Sequence, residues 1–299
     1  LLEKGMTDLL KDFSPIKDYA EKDLELEFMS YSIDEEPKHD EFFAKAYNLS
    51  YEAPLRIKAR LRNKVTKETK EQEIFLSDIP LMTSRGTFIV NGVERVIVSQ
   101  IARSFGVYFT ANLMRGRKYF GAKIIPSRGA WIEIETASDN ALYARIDRKR
   151  KIPITALLRI FGFENDEAIK KSFEKVDNGE ISYIEETLER DRTHNADEAY
   201  VEIYKRIRPG EFATFDNARE LLEGMFSDER YELSVVGRYK INERLRLSLE
   251  NIEKASRILT KEDLVEVIRR VIEFNNTPYA VPDDIDHLGN RRIRGVGEL

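Results

Sequence analysis

A short stretch near the C-terminus combines one carboxylate with several guanidinium groups. Asp286 is followed by Arg291, Arg292 and Arg294. A planar guanidinium binds phosphate oxygens or the acceptor edge of guanine, and a carboxylate accepts hydrogen bonds from the N–H groups of guanine. Arg103, far away in the sequence, offers another guanidinium. These residue types together suit an unpaired nucleic-acid base.

The only tryptophan, Trp131, follows a Ser-Arg-Gly turn and stands at the start of a predicted strand. An exposed indole face stacks on nucleic-acid bases. A single tryptophan is more often part of a hydrophobic core, however. The sequence leaves both interpretations of Trp131 open.

A predicted hairpin supplies the framework for Arg103. Two apolar runs, Thr87–Val90 and Val93–Val98, flank Asn91-Gly92, a pair that tolerates the positive φ angles of a two-residue turn. Both runs are apolar at successive positions, so we expect other parts of the fold to cover both faces of a central hairpin. Polar residues then follow the hairpin, which places hydrogen-bonding groups at the mouth of a sheet. An ordinary domain junction is the alternative.

A second hairpin is predicted from Leu55 to Leu76. Its first strand alternates apolar residues with Arg56, Lys58, Arg60 and Arg62, so it presents a ladder of positive charge or an ordinary solvated face. A strand edge with a charged turn can pair with a strand of a partner protein. A plain edge strand is the simpler interpretation.

The remaining pattern predicts a helix near the N-terminus and, from Val107 onward, strands first and helices after Pro153. Residues 2–13 carry a helical apolar stripe, 24–28 alternate as a strand, and a loop with Pro37 follows. Asp216 is a candidate helix cap, and Thr260 with Asp263 forms a candidate capping box. Further strands are predicted at 107–110, 119–125, 131–135 and 142–146, and helices at 154–161, 168–173, 183–188 and 196–207.

Composition narrows the class of protein. The 299 residues are 41% hydrophobic and carry a net charge of −5, which argues against a general polyanion binder and requires any nucleic-acid contact to be local. The absence of cysteine excludes disulfides and thiolate-bound metals. No apolar run is long enough for a membrane span, so we expect a cytoplasmic protein without membrane partners.

Two further clusters remain ambiguous. Asp283, Asp284, Asp286 and His287 resemble a metal-site composition, but we see no phosphate-binding glycine loop or nucleophile motif, and predict no metal site. A metal-dependent nuclease is the enzyme alternative. The basic run at 145–151 fits phosphate contacts or a solvated face equally well.

The motifs resemble the β subunit of bacterial RNA polymerase over nearly the whole chain. The matching segments occur in the same order as in that family. From the N-terminus they are YEAPLR (51–56), PLMTSRGTFIVNGVERVIVSQ (80–100), RSFGVYF (103–109), IPSRGAW (125–131), RPGE (208–211), RYELSVVGR (230–238) and DIDHLGNRRIR (284–294). The resemblance implies an α+β fold with two domains: a partial, mixed β-sheet protrusion domain at 1–93, and an α+β lobe domain at 94–299 with a helical C-terminal half that ends at the return to the protrusion. The chain would be a piece of that longer subunit.

The resemblance also implies roles for individual residues. The family's lobe holds the non-template DNA strand, with one base stacked on a tryptophan and a guanine in a polar pocket. The residues that match this DNA-binding role are Arg103, Trp131, Asp286, Arg291 and Arg294. Arg208, Pro209, Gly210, Glu211 and Phe212 match the gate loop, and Val98 and Gln100 match the edge of the rifamycin site. Drug binding by this piece alone is not expected.

The sequence departs from the family pattern at four positions. Ala102 stands where the family often has histidine, and Phe105 stands where it has proline, which leaves the shape of the loop beside Arg103 open. Phe212 and Phe215 are unusual in the gate loop and are either exposed or buried anchors.

The resemblance implies partners as well. They are the β′, α and σ subunits, the non-template strand and the downstream DNA duplex. Thr69, Lys70 and Glu71 match a docking site for transcription-repair coupling factor or Tudor-like regulators. In that family the enzyme is a nucleotidyltransferase whose magnesium is bound by β′. We therefore expect this chain to hold no cofactor and no catalytic residue, and to work at the nucleoid. A module that only docks regulators is the alternative.

Overall fold

The computed structural model describes residues 2–18, 23–34, 36–114, 116–250, 252, 256–296 and 298–299. The chain packs into two compact units: an N-terminal unit, Leu1–Ala102 with Ile293–Leu299, and a central unit, Arg103–Arg292. Helices and antiparallel sheets occur together, which confirms the α+β class. The domain boundary expected after residue 93 stays a prediction. No helix in the described part of the chain is long and apolar enough to cross a membrane.

The N-terminal unit is built on an antiparallel sheet with strand order β1-β2-β3-β4. A hairpin of β5 and β6 follows this sheet, and β7 pairs with β13 in a separate two-stranded sheet. The elements are α1 (Leu2–Phe13), β1 (Ile16–Lys17), β2 (Leu24–Ile33), α2 (Glu41–Ala46), β3 (Glu52–Asn63), β4 (Thr69–Pro80), β5 (Phe88–Val90), β6 (Val93–Arg95), β7 (Gln100–Arg103) and β13 (Arg291–Arg294).

Strand β3 shows why its sequence alternates. Its apolar residues from Ala53 to Ala59 are buried, whereas Leu61 is exposed, and its cations face acidic residues on both sides. Arg60 lies 2.7 Å from Glu71 on β4 and 3.4 Å from Glu27 on β2. The positive charges of β3 are therefore neutralised within the sheet. This favours the interpretation of an ordinary solvated face.

The β5–β6 hairpin forms as predicted, with positive φ at Asn91 (51°) and Gly92 (78°). The prediction that both faces would be covered is wrong for the described residues. Ile89 is fully buried, but Val96 and Val98 are 63% and 72% exposed, and β6 ends at Arg95. An apolar run shows what a strand can bury, whereas burial also requires something to pack against it.

The central unit has a five-stranded antiparallel sheet with order β12-β11-β10-β9-β8. Burial alternates along β10 and β11, so one face joins the core and the other carries cross-strand ion pairs, Lys123–Glu133 and Arg145–Glu135. Its strands are β8 (Gly106–Met114), β9 (Arg117–Ile125), β10 (Ile132–Thr136), β11 (Leu142–Ile146) and β12 (Ile152–Pro153).

Helices fill the second half of this unit, as the change of period predicted. They are α3 (Ile154–Ile160), α4 (Asp166–Phe173), α5 (Tyr183–Leu188), α6 (Ala196–Ile207), α7 (Phe215–Met225), α8 (Ser234–Leu245) and α9 (Lys261–Asn276). Helix α8 packs against β8 and α9 against β9. The apolar face of α9, with Leu264, Ile268 and Ile272, is buried in the core.

Helix caps test the sequence-based predictions closely. The Thr260–Asp263 capping box at α9 is present in full. The expectation of a cap at Asp216 is wrong, because Thr214 is the N-cap of α7 and accepts from the Asn217 N–H. Helices α2 and α8 were not predicted. Both are short or weakly amphipathic, so periodicity gave little signal.

Candidate nucleic-acid interface

Asp286 and Arg291 form the centre of the predicted site. They are joined by an ion pair, and the Asp286 side chain is 83% exposed. The loop before β13 fixes this pair: the Asp286 N–H donates to Asp284 Oδ1 at 2.9 Å, and the Asn290 side chain donates to the Asp284 carbonyl at 2.7 Å. Because the carboxylate is open to solvent, it keeps acceptor capacity for a ligand.

Arg103 lies beside this loop. The N–H of the next residue, Ser104, donates to the Asn290 carbonyl at 3.0 Å, and Asn290 directly precedes Arg291. The half-buried Arg103 side chain makes no hydrogen bond or ion pair with the described residues. Burial raises the pKa of the Tyr108 hydroxyl, and the positive charge of Arg103 opposes that rise. Arg103 is therefore a nearby guanidinium that pairs with no carboxylate among the residues the structure describes.

Phe105, one of the departures from the family pattern, has a defined place. The Arg292 guanidinium lies over its ring at 4.4 Å from the centroid. A Cβ built on Gly237 of α8 would lie 3.1 Å from Phe105 Cβ, so the helix approaches closely where it has no side chain. The loop beside Arg103 is thus held by a ring contact instead of by the fixed φ of proline.

Trp131 is half-buried and directly precedes β10. It is neither sealed in the core nor fully exposed. The backbone N–H of Trp131 donates to Asp147 Oδ1 at 2.8 Å, and the backbone N–H of Asp147 donates to the Trp131 carbonyl at 2.9 Å. The Arg148 guanidinium lies over the indole at 5.5 Å from the ring centroid.

The sheet brings Trp131 and Arg103 to the same end of the central unit. Gly106 at the start of β8 pairs with Ile125 at the end of β9, and Ile132 at the start of β10 pairs with Ile124. Since only β9 lies between β8 and β10, these strands are about 10 Å apart. No hydrogen bond, ion pair or ring contact of the described residues joins the indole to Asp286 or to Arg103.

Arg294 is not brought to the Asp286 pair by any described contact. Its guanidinium donates to Glu298 at 3.0 Å and to Gln100 at 3.4 Å, all within the N-terminal unit. Gln100 and Val98, the residues matched to the rifamycin edge, are both exposed. The charge of Arg294 is thus largely satisfied within the chain.

The basic run divides into engaged and free residues. Arg145 pairs with Glu135 at 3.1 Å, and the Lys151 ammonium lies 4.1 Å from the centroid of the Tyr143 ring. The exposed side chains of Lys149 and Arg150 make no ion pair or hydrogen bond with the described residues. Only part of the run is available for phosphate.

The acidic cluster acts in the structure as a set of loop ties. Asp283 accepts from the Phe109 N–H at 2.7 Å and forms an ion pair with Arg244, while His287 Nδ1 accepts from the Gly289 N–H at 3.1 Å. Across the described residues, no group of three or more histidines and acidic residues is placed to hold a metal ion.

The predicted docking residues begin β4, an edge strand of the four-stranded sheet. Thr69, Lys70 and Glu71 are all exposed. Hydrogen bonds from Arg60 and Lys58 lower the pKa of Glu71, so its carboxylate is already engaged by β3. The Lys70 side chain makes no hydrogen bond or ion pair with the described residues.

The gate-loop residues form a turn after α6, with φ of +95° at Gly210. Hydrogen bonds from Tyr204 and Arg208 lower the pKa of Glu211, and they tie the turn to the helix. Phe212 is 85% exposed, whereas Phe215 packs edge-on against Tyr200 at 6.0 Å. The two unusual phenylalanines therefore divide into one exposed residue and one anchor.

Sequence reasoning missed the contact between Arg148 and Trp131 and the pair between Arg244 and Asp283. The first had a weak local signal, because Asp147-Arg148 directly follows a strand. The second had none, since the partners are separated by 39 residues and meet only through α8 and β8.

Comparisons with known proteins agree with the resemblance. Residues 103–294 match the family model of RNA polymerase Rpb2, domain 2. The chain is 44% identical over 326 residues to a DNA-directed RNA polymerase subunit beta of Chloroflexus aggregans, covering 99% of this chain and 26% of that protein. The corresponding subunits of Dehalococcoides mccartyi and Syntrophomonas wolfei are each 46% identical, covering 99% and 100% of this chain and 24% and 26% of those proteins. The chain thus spans about a quarter of the length of these relatives, and it belongs to the family of DNA-directed RNA polymerase β subunits.

Proposed function

We propose that this chain forms one wall of the downstream DNA cleft of a bacterial RNA polymerase and binds the unpaired non-template strand there. The observation that carries the proposal is the solvent-open Asp286–Arg291 pair next to Arg103, at the end of the sheet that also bears Trp131. An acceptor, several fork-shaped donors and an aromatic face are what a single unpaired base requires.

Each residue has a separate task in this proposal. A base stacks on Trp131, which contributes about 1–3 kcal/mol. Asp286 accepts from the N–H groups of a guanine, while Arg291 and Arg103 bind its acceptor edge or a phosphate. Arg294 contributes a further DNA contact once it leaves Glu298.

Replacing Asp286 by alanine in the assembled polymerase tests the pocket. We expect the preference for guanine at one non-template position to disappear, because the base loses its acceptor; such a contact provides about 1–3 kcal/mol of discrimination. Overall DNA affinity need not fall, since Arg291 is freed to bind phosphate. Binding to templates that differ only at that position measures the effect.

The exposed acidic residue Asp216 on α7 supplies the control. Asp216→Ala removes the same charge and should leave the guanine preference unchanged. If Asp286→Ala behaves like this control, Asp286 has no part in base recognition and the proposed pocket fails.

In this proposal, the catalytic site lies on another subunit. We propose β′, α and σ as partners within a nucleotidyltransferase in the bacterial cytoplasm, at the nucleoid, with the catalytic magnesium on β′ and no cofactor or catalytic residue here. Val98 and Gln100 would lie at the edge of the rifamycin site, and the Arg208–Phe212 turn would act as the gate loop. Cleavage of DNA by this chain with magnesium alone would instead favour the nuclease alternative.

A second candidate function is regulator docking, favoured by the exposed edge of β4. A strand of transcription-repair coupling factor or of a Tudor-like regulator could extend the sheet there, with specificity from nearby side chains. Thr69, Lys70 and Glu71 would form this contact.

Lys70→Ala tests docking better than Glu71→Ala, because Glu71 also pairs with Arg60 and Lys58. We expect Lys70→Ala to weaken regulator binding and leave DNA binding unchanged, as measured by titration of the assembled polymerase. The exposed Lys205 on α6 provides a charge-matched control. Equal regulator affinity in the Lys70 and Lys205 variants would contradict the docking role.

A further inference from the structure

The turn after β11 has an unusual backbone. The Lys149 N–H donates to the Ile146 carbonyl at 3.0 Å, which closes a two-residue turn at Asp147 and Arg148. Both residues have positive φ, 47° and 58°, and neither is glycine. Aspartate tolerates this conformation, but arginine gains nothing from it. Unfavourable backbone of this kind is often kept where it positions a functional group.

Two hydrogen bonds hold this turn against Trp131. The Asp147 carboxylate accepts from the backbone N–H of Trp131 at 2.8 Å. The backbone N–H of Asp147 donates to the Trp131 carbonyl at 2.9 Å. The turn is therefore fixed to the residue that carries the indole. As a result, the Arg148 guanidinium lies over the ring.

Among the described residues, no carboxylate pairs with Arg148. Glu135 pairs with Arg145, and Asp147 Oδ1 accepts from the backbone N–H of Trp131. Among the described residues, Arg148 makes no ion pair, and its neighbours Lys149 and Arg150 are exposed cations. A guanidinium held only by a cation–π contact with a half-buried ring is held weakly.

We propose that Arg148 covers the Trp131 indole when no nucleotide is bound, and that it moves to the phosphate of the nucleotide whose base stacks on that ring. A stacked base displaces a cation from this half-buried ring because base–aromatic stacking is the stronger contact. The released guanidinium then lies next to a phosphate that it can neutralise. This inference rests on the proposed function, since it requires Trp131 to be the stacking surface.

The experiment uses the assembled polymerase and a single-stranded non-template oligonucleotide with a fluorescent adenine analogue at the stacked position. Quenching of the analogue reports stacking on the indole, and the salt dependence of affinity reports phosphate contacts. For single strands, the slope of log affinity against log salt changes by about 0.7 for each phosphate that the protein neutralises. Arg148→Ala should reduce the slope by that amount, which makes the fall in affinity between about 50 and 200 mM salt about 2.6-fold smaller.

Three further variants make the result specific. Arg148→Lys keeps the charge and should restore the slope. Lys118→Ala removes an exposed charge from the start of β9, at the opposite end of the sheet, and should leave slope and quenching unchanged. Trp131→Ala should abolish quenching, whereas Arg148→Ala should leave it intact or deepen it because the indole is uncovered.

The outcomes separate the inference from the proposed function. If Trp131→Ala abolishes quenching but Arg148→Ala gives the same slope as Lys118→Ala, the role of Arg148 is overturned and the stacking surface stands. If Trp131→Ala leaves quenching unchanged, the stacking surface is wrong, and the role of Arg148 is overturned with it.

Discussion

At the scale of single residues, Glu94 on β6 of the N-terminal unit is a carboxylate engaged by several donors. Its partners are Lys45 on α2, the Thr87 hydroxyl at 2.5 Å and Arg85 at 3.1 Å, and Arg85 also reaches Glu41 at 2.7 Å. Hydrogen bonds from Lys45, Thr87 and Arg85 lower the pKa of Glu94 from 4.5 to about 2. This network ties α2 to the β5–β6 hairpin.

The lowered pKa of Glu94 predicts an acid-dependent loss of stability. The folded state favours the carboxylate, so its contribution is fully present above pH 4.5 and is lost as pH falls towards about 2. Glu94→Gln should therefore destabilise the N-terminal unit at neutral pH, and the difference from the parent should shrink in acid. Thermal unfolding at several pH values measures it.

Glu36 provides the control, because it makes no ion pair with the described residues. Glu36→Gln should have only a small effect on stability at every pH from neutral down to about pH 2. A Glu94→Gln difference that stays constant from neutral pH down to about pH 2 would show that the network does not depend on the charge of Glu94.

At the scale of elements, the β5–β6 hairpin depends on Gly92 for two reasons. Its φ is +78°, and a Cβ at this position would lie 2.7 Å from Asn48 Cα, just after α2. The Gly92 N–H also donates to the Leu49 carbonyl at 2.7 Å. The turn therefore packs directly onto the backbone that follows α2.

Gly92→Ala is expected to destabilise the N-terminal unit by more than the roughly 1–2 kcal/mol that a left-handed conformation costs a non-glycine residue. The additional cost comes from the contact with Asn48. Gly86→Ala separates the two causes, because Gly86 has a φ of +80° but no atom within 4 Å of the added Cβ. Denaturant unfolding of both variants measures the difference, and equal destabilisation would show that the Asn48 segment moves aside without cost.

At the scale of the whole molecule, the two units differ in how much apolar surface they bury among the described residues. The central unit has one continuous core that includes Phe109, Ile124, Leu157 and Ile268. Buried apolar residues of the N-terminal unit are fewer and smaller on average, with Ala53, Leu55, Ile57, Ala59 and Ile89 among them. Stability from burial should therefore be greater in the central unit.

We expect two unfolding transitions, with the N-terminal unit unfolding first. Trp131 is the only tryptophan and lies in the central unit, so its fluorescence should follow the second transition, while circular dichroism reports both. Ile57→Ala should lower the midpoint of the first transition and Ile268→Ala that of the second, because each should reduce the free energy of unfolding of its unit by about 2–5 kcal/mol. A single transition seen equally by both probes and shifted by both variants would contradict this.

The elements that the sequence predicted well have causes that are local in the chain. The Asn91-Gly92 turn, the Thr260–Asp263 capping box and the strands near β8 to β11 each follow from residues within a few positions of one another. The Thr214 cap was missed, although it is local, because Asp216 two residues later is as good a capping type. Local chemistry selects the kind of element more reliably than its first residue.

By itself, the sequence determined the α+β class, the order of strands before helices from Val107 onward, the residue types suited to a base, and the family. Only the tertiary structure decided that Arg291 pairs with Asp286, that Asn290 lies beside Ser104, that Arg148 covers Trp131 and that Val98 is exposed. The physical reason is that each contact is set by how loops close and strands pair, whether the partners are five positions apart, as Asp286 and Arg291 are, or more than a hundred, as Ser104 and Asn290 are. A local pattern specifies what a segment can bury or bind, but not which distant residue it meets.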